Sequence, residues 1–495
     1  MKLALTLLLS LFGYTLAQYT DGSFLRVCYH TNWSQYRQDP AKFYPEDIDP
    51  FLCTHIMYSF ATMTGNQLTA YEWNDESEDW AKGMYERTTD LKFINPALKI
   101  VMAVGGWNFG TEKMTAMLAT PENRAEFVST SITFLRTRNF DGLDLDFEYP
   151  GSRGSPAEDK QRFTLLVQEL RAAFDQEGMD TGREPLLLTA AVGAGKPTVD
   201  AGYEIALIAQ EFDFINLMSY DLHGAWETFT GLNSPLYPRA DEVEPQDQLN
   251  IEWAANYWVA GGCPKNKLVI GLAMYGRTFE LTDVTQYGVG APVKGAGAAG
   301  TYTREGGFVS WYEICAFLNA GTGIRTWHGE HQSPFLRYPG PAGTVNQWAG
   351  YDDTESLALK AQWIKDQGFA GGMTWALDLD DFNNQCGGGV YPLLNTWVNV
   401  LGGATPTPAP TTTDPSATTT TVAGATTTAG TTTTAGPTTT AAPTTDCTGL
   451  ADGNYAYEGD CTKFIQCSGE IGTVFDCAAG TCYINGICDW CDGCA

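Results

Sequence analysis

Eight short apolar runs, separated by stretches long enough for helices, recur along the first 400 residues and leave few folds open. They span 25–33, 55–62, 100–107, 142–149, 186–193, 214–220, 268–275 and 372–377, and are rich in Val, Ile, Leu and Met. Continuous apolar runs of that length are what parallel strands buried on both faces require. Between several of them lie helical patterns, as at 125–136 and 159–174. Eight such units predict an α/β fold, a (β/α)8 TIM barrel, with a doubly wound sheet as the alternative. Polar and aromatic residues gather at the C-terminal ends of the runs: Asn32-Trp33, Trp107-Asn108, Glu148-Tyr149, Tyr220-Asp221, Tyr275 with Arg277, and Trp375. In a barrel these ends converge on the face where barrel enzymes place their sites. After strand 7 a Gly- and aromatic-bearing stretch, about 280–351, is too long for a loop and predicts an α+β insertion walling one side of a groove.

Residues 141–150 read Asp-Gly-Leu-Asp-Leu-Asp-Phe-Glu-Tyr-Pro. Asp144, Asp146 and Glu148 alternate with Leu143, Leu145 and Phe147, so on a strand the acids share one face. Their spacing is roughly 6–7 Å, twice the rise per residue. Crowding on that scale disfavours ionising all three, and a carboxyl kept protonated near neutral pH is what a general acid needs. Glu148, last before Tyr149-Pro150, is expected to close the strand at the mouth. A calcium loop also repeats acids at alternate positions. Counted from Asp144, however, its glycine and final glutamate positions hold Tyr149 and Ser155. A merely solvated acidic strand leaves the apolar opposite face unexplained.

Residues 1–17 have the basic start, apolar core and small-residue exit of a secretory leader, so an extracellular protein in an oxidising compartment is expected. Residues 18–401 would form the large unit. Residues 402–446, almost wholly Thr, Ala, Pro and Gly, can bury no core and read as a linker suited to O-glycosylation. Of 13 cysteines, eight crowd between Cys447 and Cys494, which predicts a small disulfide-rich C-terminal module over 447–495. A net charge of −29 argues against nucleic acid and anionic membranes as partners and suits a neutral substrate. The five histidines offer no zinc spacing, and no metal or cofactor is expected. The sequon Asn32-Trp33-Ser34 closes an apolar strand and is expected to be inaccessible.

Asp141-Gly-x-Asp144-x-Asp146-x-Glu148 resembles the signature of glycoside hydrolase family 18, the chitinases. Cys28-Tyr-His-Thr-Asn-Trp33 is similar to the first strand of the animal members, and Ala103-Val-Gly-Gly106-Trp107-Asn108 to the third, with Ala103 where many have Ser. Met218-Ser-Tyr220-Asp221, Met274-Tyr275-Gly-Arg277 and Gly372-Met-Thr-Trp375 resemble the sixth, seventh and eighth. The resemblance implies hydrolysis of β-1,4-linked N-acetylglucosamine polymers with retention. It also implies substrate assistance, a known exception to the two-carboxylate rule. Glu148 would be the general acid and then the base. Asp146 would orient the acetamido N–H, sharing charge with Asp144, and Tyr220 would stabilise the acetamido oxygen. Asp141, on the other side, would serve the strand's start. Asp221 and Arg277 would bind sugar hydroxyls, and Trp375 would floor the reacting sugar. Trp33, Trp107 and Trp226 would serve neighbouring subsites. Tyr29, Phe60, Gly105, Gly106, Met218 and Tyr275 fall at pocket positions.

The C-terminal cysteine pattern resembles the peritrophin-type chitin-binding module, with Tyr455, Phe464 and Trp490 as candidate sugar-stacking or core residues. Eight cysteines allow 105 pairings, so their connectivity stays open. In the large unit Cys28–Cys53 and Cys315–Cys386 are the expected pairs, leaving Cys263 odd. The implied protein is a secreted monomeric chitinase whose partners are chitin and N-acetylglucosamine oligomers. The alternatives are a catalytically inactive chitinase-like lectin and an endoglycosidase of N-linked glycans.

Overall fold

Each of the eight apolar runs contributes one strand to a single parallel sheet that closes on itself. The computed structural model describes residues 24–402 and the strand residues 453–456, 463–468, 471–476, 481–484 and 487–490. The expected leader and linker lie outside the described residues. The barrel strands are β1 (Leu25–Thr31), β2 (His55–Thr64), β3 (Lys99–Gly105), β4 (Gly142–Asp146), β5 (Leu187–Gly193), β6 (Phe214–Met218), β7 (Leu268–Ala273) and β8 (Gly371–Trp375). Each pairs in parallel with its sequence neighbours, and β1 pairs with both β2 and β8. Closure removes the edge strands an open doubly wound sheet would leave.

Several strands end earlier than their apolar runs. β4 stops at Asp146, β6 at Met218 and β7 at Ala273, so Glu148 stands two residues beyond its strand rather than closing it. The chain leaves the ladder there: the Gly106 N–H bonds the Asp146 carbonyl at 2.8 Å, and the backbone then turns across the mouth. β2 instead runs on to Thr64, because a hairpin with Gln67–Thr69 extends it. The expected helices lengthen at both kinds of boundary. Pro121–Thr137 starts at a Thr120 cap whose hydroxyl accepts the Asn123 N–H, and Asp159–Thr181 runs on until Gly182 adopts a left-handed conformation. The link from β1 to β2 holds only 3-10 turns, Asn32–Tyr36 and Pro45–Asp47, so the first unit lacks its α-helix. The Cys28–Cys53 bridge fastens that link.

The α+β insertion begins at the end of β7, nearer than the expected residue 280. Strands Tyr275–Leu281, Val293–Ala296, Ser333–Tyr338, Gln347–Gly350 and Ile324–His328 make an antiparallel sheet, with helix Trp311–Asn319 beside it. It has small apolar cores of its own, around Phe279, Phe335 and Trp348, and around Ile314, Leu336 and Tyr351. Cys315–Cys386 ties its helix to the segment after β8, and Cys263 is buried and unpaired. Asn32 of the sequon is fully buried, with its amide on the Phe60 carbonyl, as its inaccessibility required. Among the described residues no helix is long and apolar enough to cross a membrane.

The C-terminal unit has a three-stranded antiparallel sheet, Gly453–Ala456, Lys463–Ser468 and Ile471–Asp476, and a hairpin of Thr481–Ile484 with Ile487–Trp490. Tyr455, Phe464 and Trp490 fall on these strands, with their side chains outside what is described.

Helix Thr354–Gln367 is anchored by a buried ion pair. Lys360, fully buried, donates to Asp352 and to the Ser234 carbonyl, while the Ser356 hydroxyl donates to Asp352 at 2.7 Å. Lys360→Met should cost about 3–5 kcal/mol by stranding the Asp352 charge, and adding Asp352→Leu should recover most of it. Denaturant unfolding checks this, and a lone Lys360→Met change as stable as the parent would refute it.

Candidate active site

The acid file starts deep in the lumen. Asp144 lies in the middle of β4, in register with Ala103 of β3 and Thr189 of β5. It is fully buried, and three donors meet it: the Thr189 hydroxyl at 2.6 Å, the Tyr29 hydroxyl at 2.7 Å and the Asn216 amide at 3.5 Å. Burial still pushes its carboxyl up to about 6, with those hydrogen bonds pulling the other way. Asp146, at the strand's last position, is buried too, and its Oδ1 has no hydrogen-bond partner. Burial, then the charges of Glu148 and Asp144, hold its carboxyl well above the usual range. Glu148 is 8% exposed at the mouth. Burial raises it to about 7, opposed by a hydrogen bond from Tyr149 and by the Arg153 cation. The outermost carboxyl is therefore protonated at neutral pH in a large share of molecules and is the one nearest solvent. That is the requirement for a proton donor to a bound ligand.

Other expected residues surround the file. Tyr220 is buried just past β6, its hydroxyl 3.6 Å from the Met373 sulfur. Burial, and then the nearby acids, keep its phenol protonated far beyond its usual range, so it remains a donor. Met218, the last residue of β6, is half-buried. Trp375 ends β8, half-buried, with Tyr29, Phe60 and Trp33 rings at 5.4, 6.0 and 6.1 Å from its own. Those four aromatics make one floor. Gly105 and Gly106 shape it from below, both at positive φ. A Cβ on Gly105 would lie 1.9 Å from the Asp146 carbonyl oxygen, and one on Gly106 would lie 2.6 Å from the Phe60 ring. The two glycines pack the site, and neither has a side chain to offer a ligand.

Asp221 and Arg277 are first of all partners of each other. The guanidinium donates twice to the carboxylate, at 2.6 Å each, and the Tyr275 hydroxyl donates to the same carboxylate at 2.6 Å. Trp226, 63% exposed, has its ring centroid 5.6 Å from the Arg277 guanidinium, and Trp107 and Trp33 are exposed as well. Asp141 lies away from all of this, at the start of β4. It accepts from Lys92 at 3.1 Å and from the Ile100 N–H at 2.7 Å, a structural role at the strand's entrance.

Sequence reasoning missed Thr189, Asn216, Met373 and Arg153. Thr189 and Asn216 carried a usable signal, each being a lone polar residue inside an otherwise apolar strand run. Arg153 carried none, since it stands in a loop whose course only the fold sets.

Three buried carboxyls below a floor of aromatic rings, at the C-terminal mouth of a (β/α)8 barrel, define the class: a cleft of the glycoside hydrolase kind. The chain belongs to glycosyl hydrolases family 18, which it matches over residues 26–380, and residues 447–494 match the chitin-binding Peritrophin-A domain. Mouse chitotriosidase-1 is 43% identical over 445 residues, 90% of each chain. Among solved structures, an immunomodulatory active chitinase of Trichuris suis is 41% identical with a TM-score of 0.72, covering 77% of this chain and all of its own. Human YKL-39, described as a pseudo-chitinase with retained chitooligosaccharide binding, is 40% identical with a TM-score of 0.71 over the same shares.

A carboxyl raised in the folded state adds stability while protonated, and that contribution disappears as pH rises through its folded pKa. Asp146→Asn cannot ionise. It should therefore melt above the parent at pH 8, with the advantage shrinking towards zero by pH 4. Thermal unfolding of both proteins across that range is the check; an advantage that grows on acidification would contradict the reading.

Proposed function

We propose that the protein is a secreted chitinase that hydrolyses β-1,4-linked N-acetylglucosamine polymers with retention, by substrate assistance. The observation that carries this is Glu148: a carboxyl at the mouth, raised to about 7 by burial, directly above the buried, partly unpartnered Asp146. With a sugar on the Trp375 floor, the Glu148 proton passes to the glycosidic oxygen as the C–O bond breaks. The substrate's acetamido oxygen attacks the anomeric carbon and closes an oxazolinium ring. Asp146 accepts the acetamido N–H, and the negative charge it shares with Asp144 below it balances the positive charge that develops there. Tyr220 donates to the acetamido oxygen and holds it for attack. Glu148, now a carboxylate, takes a proton from water, which adds to the anomeric carbon from the face the leaving group left as the oxazolinium C–O bond breaks, and this completes retention.

Secretion follows in the proposal from the leader over 1–17 and is consistent with the two disulfides of the barrel unit. The linker and the Peritrophin-A match suit a tether holding the barrel on insoluble chitin. The second reading is an inactive lectin, favoured by the likeness to YKL-39, which is described as retaining binding without being an active chitinase. Glu148, Asp146 and Tyr220 all stand in place in this chain, which supports the enzyme.

Purified protein should cleave chitin oligomers, and Glu148→Gln should abolish turnover while keeping oligomer binding. Turnover should fall as pH rises through about 7, because the acid must start protonated. A chain ending at Gly402 should lose far more activity on insoluble chitin than on soluble oligomers. Binding by the parent without any cleavage establishes the lectin instead, and equal losses on both substrates dispose of the tether.

A further inference from the structure

Arg153 sits five residues beyond Glu148, and no part of the mechanism above uses it. Its guanidinium donates to the Glu148 carbonyl at 2.8 Å and to the Trp107 carbonyl at 3.1 Å. The same group stacks on the Trp107 indole, 3.4 Å from the ring centroid. Trp107 nevertheless remains 59% exposed, so the cation covers one side of the ring and leaves a broad surface open to the cleft. Trp107 lies just past β3 and Glu148 just past β4. Behind them the Gly106 N–H bonds the Asp146 carbonyl, and Arg153 carries the tie forward to Trp107 and Glu148 themselves. The backbone is committed to this arrangement. Arg153 has φ +53°, a left-handed conformation uncommon for a residue with a side chain, and its carbonyl accepts the Thr111 hydroxyl at 3.2 Å. A planar fork that stacks and donates in two directions is guanidinium chemistry, which a lysine ammonium cannot reproduce.

We propose that Arg153 is a positioning residue that joins the Trp107 platform and the Glu148 segment into one unit, holding a sugar that lies on Trp107 in register with the acid. Binding on the exposed indole and proton delivery then depend on a single group that touches neither the scissile bond nor the proton. The cation also lies close enough to Glu148 to oppose the effect of burial on its carboxyl. The inference rests on the hydrolytic reading above, and its test separates the two.

The full chain is compared with Arg153→Gln, Arg153→Lys, Trp107→Ala and the Arg153→Gln/Trp107→Ala double change. Each is assayed for KM and kcat on a chitin tetramer. Each is also made in a Glu148→Gln background, where the tetramer Kd is measured without turnover. Arg153→Gln should weaken tetramer binding about tenfold, a usual coupling for groups in contact, and should add almost nothing once Trp107 is gone. It should also lower kcat in both Trp107 backgrounds, because the Glu148 segment has lost its brace. Arg153→Lys should restore neither binding nor kcat, although it keeps the charge and serves as the reporter if Arg153→Gln folds poorly. Independent, multiplying effects of Arg153→Gln and Trp107→Ala on Kd would overturn the proposal, as would full rescue by lysine. A parent that binds but never cleaves defeats the hydrolytic reading alone, since the Kd cycle still decides whether Arg153 and Trp107 act together.

Discussion

Everything at the mouth of this barrel depends on keeping Asp144, Asp146 and Glu148 out of water. Two unit charges roughly 6 Å apart repel by about 3 kcal/mol even at an effective dielectric of 20, and desolvation adds to that. Burial is the leading cause of the shift at all three positions. What separates them is the supply of donors and the charge of the neighbouring acids. Asp144 receives three hydrogen bonds and is pushed to about 6, while Asp146 has an oxygen with no partner, faces the charges of Glu148 and Asp144, and is held well above its usual range. The differences along the file thus come from the donors on β1, β5 and β6 that meet Asp144 and from the charges the acids exert on Asp146. A sheet left open between β1 and β8 would admit water and flatten them.

Two arginines beside the file treat the rings around them differently. Trp107 stands on Arg153, 3.4 Å from its ring centroid, and that guanidinium holds the Glu148 carbonyl. Arg277, forked on Asp221, has Trp226, Tyr275 and Phe308 rings at 5.6, 5.6 and 5.5 Å and stacks closely on none of them. A flat apolar surface in water would otherwise be free to rotate about its own side-chain bonds. Backing Trp107 with a planar cation fixes its orientation and leaves its outer side exposed. The close approach of Gly105 to the Asp146 carbonyl does similar work from beneath, by letting the backbone turn where a side chain would collide.

Much of this was legible in the residue order. Continuous apolar runs at regular intervals predict a parallel barrel because strands covered on both faces have no polar side to show. The alternation at 143–148 marked the acids, and the ends of the runs marked the cleft. Strand ends were read too far along, since the same polar residues that form the cleft also look like a continuation of the pattern. Nothing in local periodicity distinguishes the last ladder bond at Asp146 from the turn that carries Glu148. The missing helix between β1 and β2 escaped for a related reason: spacing between strands shows that a connection exists, not whether its turns become an α-helix.

The sequence by itself determined the type of fold, the three acids and their order, and the aromatic residues that gather at the strand ends. These follow from side-chain chemistry and from periods of two and 3.6, which are local properties of a chain. Only the tertiary structure decided that Asp144 would be met by Tyr29, Thr189 and Asn216, that Asp221 and Arg277 would spend their charges on each other, and that a loop arginine would brace Trp107. Those partners come from strands or loops separated by 45 to 115 residues in the case of Asp144 and by 46 in the case of Arg153 and Trp107. Distance and burial between such groups exist only once the barrel has closed, and they set which carboxyl keeps its proton.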